Sequence, residues 1–163
     1  GILSHLGEMV NLSAGGNLDD GYPLKNIRSY DISYFYNYFN SEYLTSDENC
    51  YIEFDFGPSR KIDLHSYFIM SNCSETSAYY HPKTWRIMGS DDKTNWVKLD
   101  GRENDQSLNG PYFKCHFICQ EGKYKNPDCK YRYIRFIQED SWFNKKYAIY
   151  ITYFELYGDV YII

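Results

Sequence analysis

Segment 82–96, which reads Pro-Lys-Thr-Trp-Arg-Ile-Met-Gly-Ser-Asp-Asp-Lys-Thr-Asn-Trp, constrains the fold most tightly because it joins two tryptophan-bearing strand patterns through a short polar turn. Trp85 and Ile87 share one parity and Arg86 and Met88 the other, while residues 89–95 are turn formers before Trp96, Val97 and Leu99 resume. The pattern predicts a β-hairpin. Period-two alternation recurs in short runs between Gly, Pro, Asn, Asp and Ser clusters, whereas no stretch of helical length keeps a clean 3.6 period. Aromatic residues make up 20 % of the 163 residues, with 19 tyrosines and 10 phenylalanines, and such side chains fit a pleated, half-buried surface. An antiparallel β-sandwich of the all-β class is the expected solution.

In Cys50-Tyr51-Ile52-Glu53-Phe54-Asp55-Phe56-Gly57, Ile52, Phe54 and Phe56 are expected to face a core and Glu53 and Asp55 a wet face. Further strands are predicted over 66–71, with Tyr67 and Ile69 inward, and over 85–90, 96–102, 112–118, 131–138 and 149–157. In the last, Phe154 and Leu156 flank Glu155, so the inward face is legible near its end. Long loops are expected over 17–29, 36–49, 71–83 and 139–146. No internal repeat or linker interrupts the chain, and residues 1–163 are expected to form one domain.

Four segments in this order resemble the coagulation-factor 5/8 type C domain, also called the discoidin domain: the Cys50 strand, the 82–96 hairpin, Tyr131-Arg132-Tyr133-Ile134-Arg135-Phe136, and Ile151-Thr152-Tyr153-Phe154-Glu155-Leu156-Tyr157-Gly158. Gly1-Ile2, His5-Leu6, Gly15-Gly16-Asn17 and Leu108-Asn109-Gly110-Pro111 resemble a protozoan subgroup in which this domain commonly follows a BTB domain. The resemblance implies a galactose-binding-domain-like jelly-roll sandwich that meets its ligand through loops at one end. It also implies that Arg132 or Arg135 pairs with a carboxylate of a neighbouring strand, with anchoring of a ligand as the alternative. Asp31-Ile32-Ser33-Tyr34 stands where many relatives carry a calcium-holding Asp-Gly-Asn turn, but the glycine and asparagine are missing, so an Asx turn is preferred.

A net charge of −5 with interspersed signs argues against general attraction to nucleic acid or anionic lipid. Lys123-Tyr124-Lys125 and Lys130-Tyr131-Arg132 are read as solvated strand edges rather than a nucleic-acid patch. The odd number of cysteines, five, favours thiols in a reducing compartment, and residues 1–16 lack the pattern of a signal peptide, so a cytoplasmic location is expected. Cys115, His116, Cys119 and Cys129 are zinc-type ligands, yet four strand residues hold Cys115 and Cys119 about 13 Å apart. Ligands about 2.3 Å from one ion do not fit that span, and no metal or other cofactor is expected. His5, His65, His81 and His116 are scattered, and no serine or cysteine has an activating neighbourhood. Asp91-Asp92 is read as hairpin chemistry, and no enzymatic activity is expected.

The loops remain as the functional candidates. Tyr36 and Asn37, then Tyr79, Tyr80 and His81, then Trp142 and Asn144, combine aromatic faces with hydrogen-bonding side chains. Sugar recognition needs that mixture, with rings against C–H surfaces and Asn or His reading hydroxyls. The same mixture suits a protein hot spot. The expected partner is therefore a glycan or a protein, within a BTB-type adaptor or scaffold. A structural subunit of a larger filamentous assembly and an extracellular carbohydrate-binding adhesin are the alternatives. Tips rich in tyrosine, serine and acid, including Glu42 and Glu75, speak against membrane lipid.

Overall fold

The computed structural model describes residues 1–18, 20–30, 39–42, 50–73, 80–120, 128–143 and 147–163. A single-turn helix, α1 (Ile2–Leu6), precedes ten strands: β1 (Asn11–Ala14), β2 (Asn17–Leu18), β3 (Phe39–Glu42), β4 (Tyr51–Asp55), β5 (Arg60–Ser71), β6 (Pro82–Ser90), β7 (Val97–Arg102), β8 (Lys114–Ile118), β9 (Tyr133–Ser141) and β10 (Ile149–Ile162). Among the described residues they form two five-stranded sheets, ordered β1-β4-β9-β6-β7 and β2-β3-β10-β5-β8, and the strand pairs are antiparallel. This is the expected β-sandwich.

The core lies between the sheets. Ile52 and Phe54 of β4, Trp85 and Ile87 of β6, and Ile134 and Phe136 of β9 meet Tyr67 and Ile69 of β5 and Phe154 and Leu156 of β10. Ring centroids are 5.2 Å apart in Phe54–Phe154 and 5.6 Å in Phe136–Phe154, at tilted or edge-on angles that aromatic pairs favour. The predicted hairpin is the β6–β7 pair, with Trp85 opposite Arg102. Its turn is organised by Asp92, whose Oδ1 accepts from the backbone N–H groups of Thr94 at 2.8 Å and Asn95 at 2.7 Å.

Two expectations are corrected, and one element is added. Glu53 is not on a wet face: it is 2 % exposed, because the hairpin turn folds over it and Lys93 Nζ and Arg135 Nη2 each reach it at 2.6 Å. The N-terminal stretch contains α1, too short for periodicity to reveal, whose backbone N–H groups at Leu3 and Ser4 donate to the buried Glu155 carboxylate at 2.7 and 3.0 Å. The intervals expected as loops over 17–29 and 36–49 contain β2, a 3-10 turn at Leu24–Arg28 that buries Leu24 and Ile27, and β3. Arg132 and Arg135 both pair across to β4, with Asp55 and Glu53.

Strand β5 contains a bulge. Tyr157 pairs with Ser66 and the next residue, Gly158, with Leu64, so His65 is an extra residue on β5. Inward parity changes there, from Ile62 and Leu64 to Tyr67 and Ile69. A complementary shift lies between Ile151 and Tyr153 on β10.

Candidate functional site

The end of β9 and the start of β6 are neighbours, since Pro82 pairs with Ser141, and this brings two of the predicted ligand-facing segments together. Trp142 N–H donates to the His81 carbonyl at 3.1 Å. Tyr80, half-buried, has φ 57°, a left-handed backbone uncommon for a residue with a side chain. Its ring lies 4.9 Å from that of Tyr150 and 5.7 Å from that of Phe143, which is 40 % exposed. Trp142 is half-buried, donates its indole N–H to the Asp105 carbonyl at 3.2 Å, and carries Lys83 Nζ at 5.0 Å from its ring centroid. Lys83 also reaches Asp140 at 3.2 Å, so the cation is fixed beside the indole.

Tyr80, packed on Phe143 and Tyr150, and Trp142, packed by Lys83, are thus carried by neighbouring segments at one pole of the sandwich. His81 does not stand at the surface beside them. It is 1 % exposed, with Nε2 3.0 Å from Asn72 Oδ1, and burial holds its imidazole below the ordinary pKa, opposed in part by a hydrogen bond with Asn109. Tyr36, Asn37, Tyr79 and Asn144 lie outside the described residues, as does Asp31. Tyr150 was not singled out from the sequence because it reads as an ordinary β10 strand residue. Its contact with Tyr80 depends on the β5–β6 connection meeting the start of β10.

A second concavity, of about 310 Å³, is lined by Trp85, Arg86, Lys98, Arg102, Glu103 and Glu139. It offers charges but no aromatic platform, because Trp85 is 1 % exposed, and both of its arginines are engaged, in the pairs Arg86–Glu139 and Arg102–Asp100. Elsewhere, His116 Nε2 lies 2.7 Å from Ser66 Oγ, and burial pushes the Cys119 thiol up to about 12.

No protein-family model matches the chain, and no curated protein matches it. Solved structures do. A family 89 glycoside hydrolase from Clostridium perfringens is similar over 93 % of this chain, at 18 % identity and a TM-score of 0.62; the chain spans 14 % of that enzyme's length. A putative chitobiase fragment from Bacteroides thetaiotaomicron is similar at 14 % identity and a TM-score of 0.63, covering 93 % of this chain and 89 % of that one. A family 62 carbohydrate-binding module from Clostridium thermocellum is similar at 14 % identity and a TM-score of 0.61, covering 91 % of this chain and 92 % of that module. What these likenesses establish is the fold, a galactose-binding-domain-like antiparallel β-sandwich.

Proposed function

We propose that the chain is a non-catalytic recognition module that binds a glycan at the pole carrying Tyr80, Trp142 and Phe143. The observation that carries this reading is the aromatic cluster itself: Tyr80, held in a left-handed conformation against Phe143 and Tyr150, with the lysine-flanked indole of Trp142 adjoining Phe143 in the chain. Rings of this kind stack on the C–H faces of sugars, while Lys83 and backbone groups supply hydrogen bonds. The fold is shared with carbohydrate-binding modules, which supports the same class of ligand.

A protein partner, with the chain as the recognition half of a BTB-type adaptor in the cytoplasm, is the second reading. The odd cysteine count and the thiols at Cys115 and Cys119 favour it, since they fit a reducing compartment. A glycan array probed with the wild-type chain and with Tyr80→Ala and Trp142→Ala variants tests the proposal. Glycan signal lost in both variants, with unchanged circular dichroism, is the expected result. Absence of signal from the wild type overturns it in favour of a protein partner, and signal retained in both variants moves the site elsewhere.

A further inference from the structure

The β5 bulge gathers three metal-ligating side chains far in sequence from the aromatic pole. Asp63 and His65 lie on the face of β5 turned away from the core, and Asp159 of β10 stands directly opposite Asp63 in register. In an unbroken strand, residues 63 and 65 would stand about 6.6 Å apart along the chain. The extra residue re-aims the His65 ring, and Nε2 comes within 3.5 Å of Asp63 Oδ2 and 3.4 Å of Asp159 Oδ2. Gly158 permits the approach, since a Cβ there would stand 2.0 Å from the Asp63 carbonyl oxygen.

These separations are longer than an N–H···O bond on both sides, and His65 Nε2 is shielded from solvent and has no hydrogen-bond partner. They match another geometry. Ligand atoms about 2.0–2.1 Å from a zinc ion in a tetrahedron stand about 3.3–3.4 Å from one another. All three candidate donor atoms lie within 4.8 Å of one another, so a modest rotation of the exposed Asp159 carboxylate closes the third edge.

We infer that Asp63, His65 and Asp159 form a binding site for a divalent cation of the zinc class, with one imidazole nitrogen, two carboxylate oxygens and a solvent-facing fourth position. Calcium fits poorly, because it takes six to eight oxygen ligands and the cluster supplies two carboxylates and a nitrogen. The site bridges β5 and β10 across the bulge. It involves none of the residues of the aromatic pole.

The test is calorimetric titration of zinc chloride into the metal-stripped full chain, beside calcium chloride and the variants Asp159→Asn and His65→Gln. Asp159 is 63 % exposed in its side chain, so its variant keeps the fold. The expected result is one zinc per chain, affinity at least about tenfold weaker in either variant, and no calcium uptake. Cobalt substituted at the site should show no sulfur-to-metal charge-transfer band. Zinc uptake undiminished in Asp159→Asn, a thiolate band with cobalt, or no uptake by the wild type overturns the inference.

Discussion

Tyr67 donates its phenolic hydrogen to Asp100 Oδ2 at 2.6 Å and accepts the indole N–H of Trp85 at 2.9 Å, so the polar ends of two core aromatics are satisfied in a relay that ends on one fully buried carboxylate. Arg102 Nε closes the network on the same oxygen at 2.9 Å. Burial and the neighbouring carboxylate push the Tyr67 hydroxyl far above its usual pKa, so it stays protonated wherever the chain is folded. Asp100→Ala is expected to destabilise by about 3–5 kcal/mol, because it strands the arginine beside an unpaired phenol. Tyr67→Phe is expected to cost about 1–3 kcal/mol. Urea unfolding of the two variants checks both values, and equal costs would show that the carboxylate's pairing with Arg102 adds nothing.

Arg135 lies between two rings, 4.0 Å from the Tyr51 centroid and 4.2 Å from that of Trp96, while its guanidinium grips Glu53. The hairpin turn is thereby tied to the outer face of the first sheet. Arg135→Ala is expected to cost about 3 kcal/mol, the lower part of the range for breaking a buried pair, because Lys93 still neutralises Glu53. In a double-mutant cycle with Glu53→Gln, the two losses should fall short of additive by about 0.5–3 kcal/mol. Strict additivity in the unfolding midpoints would deny the coupling.

His81 sets a pH dependence. Its folded-state pKa lies below the unfolded value of about 6.5, so the unfolded chain binds the proton more readily. The contribution is fully present above that value and is lost as pH falls through and below it. Melting temperature should therefore drop between about pH 7 and about pH 5, and this drop should be shallower in His81→Gln. The Asp55 carboxyl provides the internal control: burial opposes its ionisation, but hydrogen bonds from Arg132 and Gly57 prevail and lower its pKa. Its stabilisation persists until pH approaches the ordinary carboxylate range of about 4, and His81→Gln should leave that lower limb unchanged.

Strands whose alternation is unbroken could be read directly from the residues. Ile52, Phe54, Trp85, Ile87, Ile134 and Phe136 all point inward as their spacing requires. Strand β5 was legible only from residue 66 because the extra residue at His65 reverses the parity upstream, where Ile62 and Leu64 are the inward pair. The shift between Ile151 and Tyr153 did the same to β10, leaving Phe154 and Leu156 as its clear portion. Glu53 misled because its cover comes from the turn at Lys93 rather than from its own strand. At the aromatic pole, residue type identified Tyr80 and Trp142. Depth was not written in the local sequence: His81, one residue further on, is enclosed with Asn72 from the opposite end of the same long connection.

The two opposed shifts between β5 and β10 make this strand pair aperiodic, and that has a consequence for assembly. A uniform ladder can slide by two residues and keep its faces, but here one extra residue on each strand must find its own pocket of space, and Gly158 must meet the Asp63 carbonyl. Only one alignment satisfies all three demands. A β10 laid against β5 in any slipped register would leave at least one of these features unmatched, so the irregularity works as a lock against register slippage.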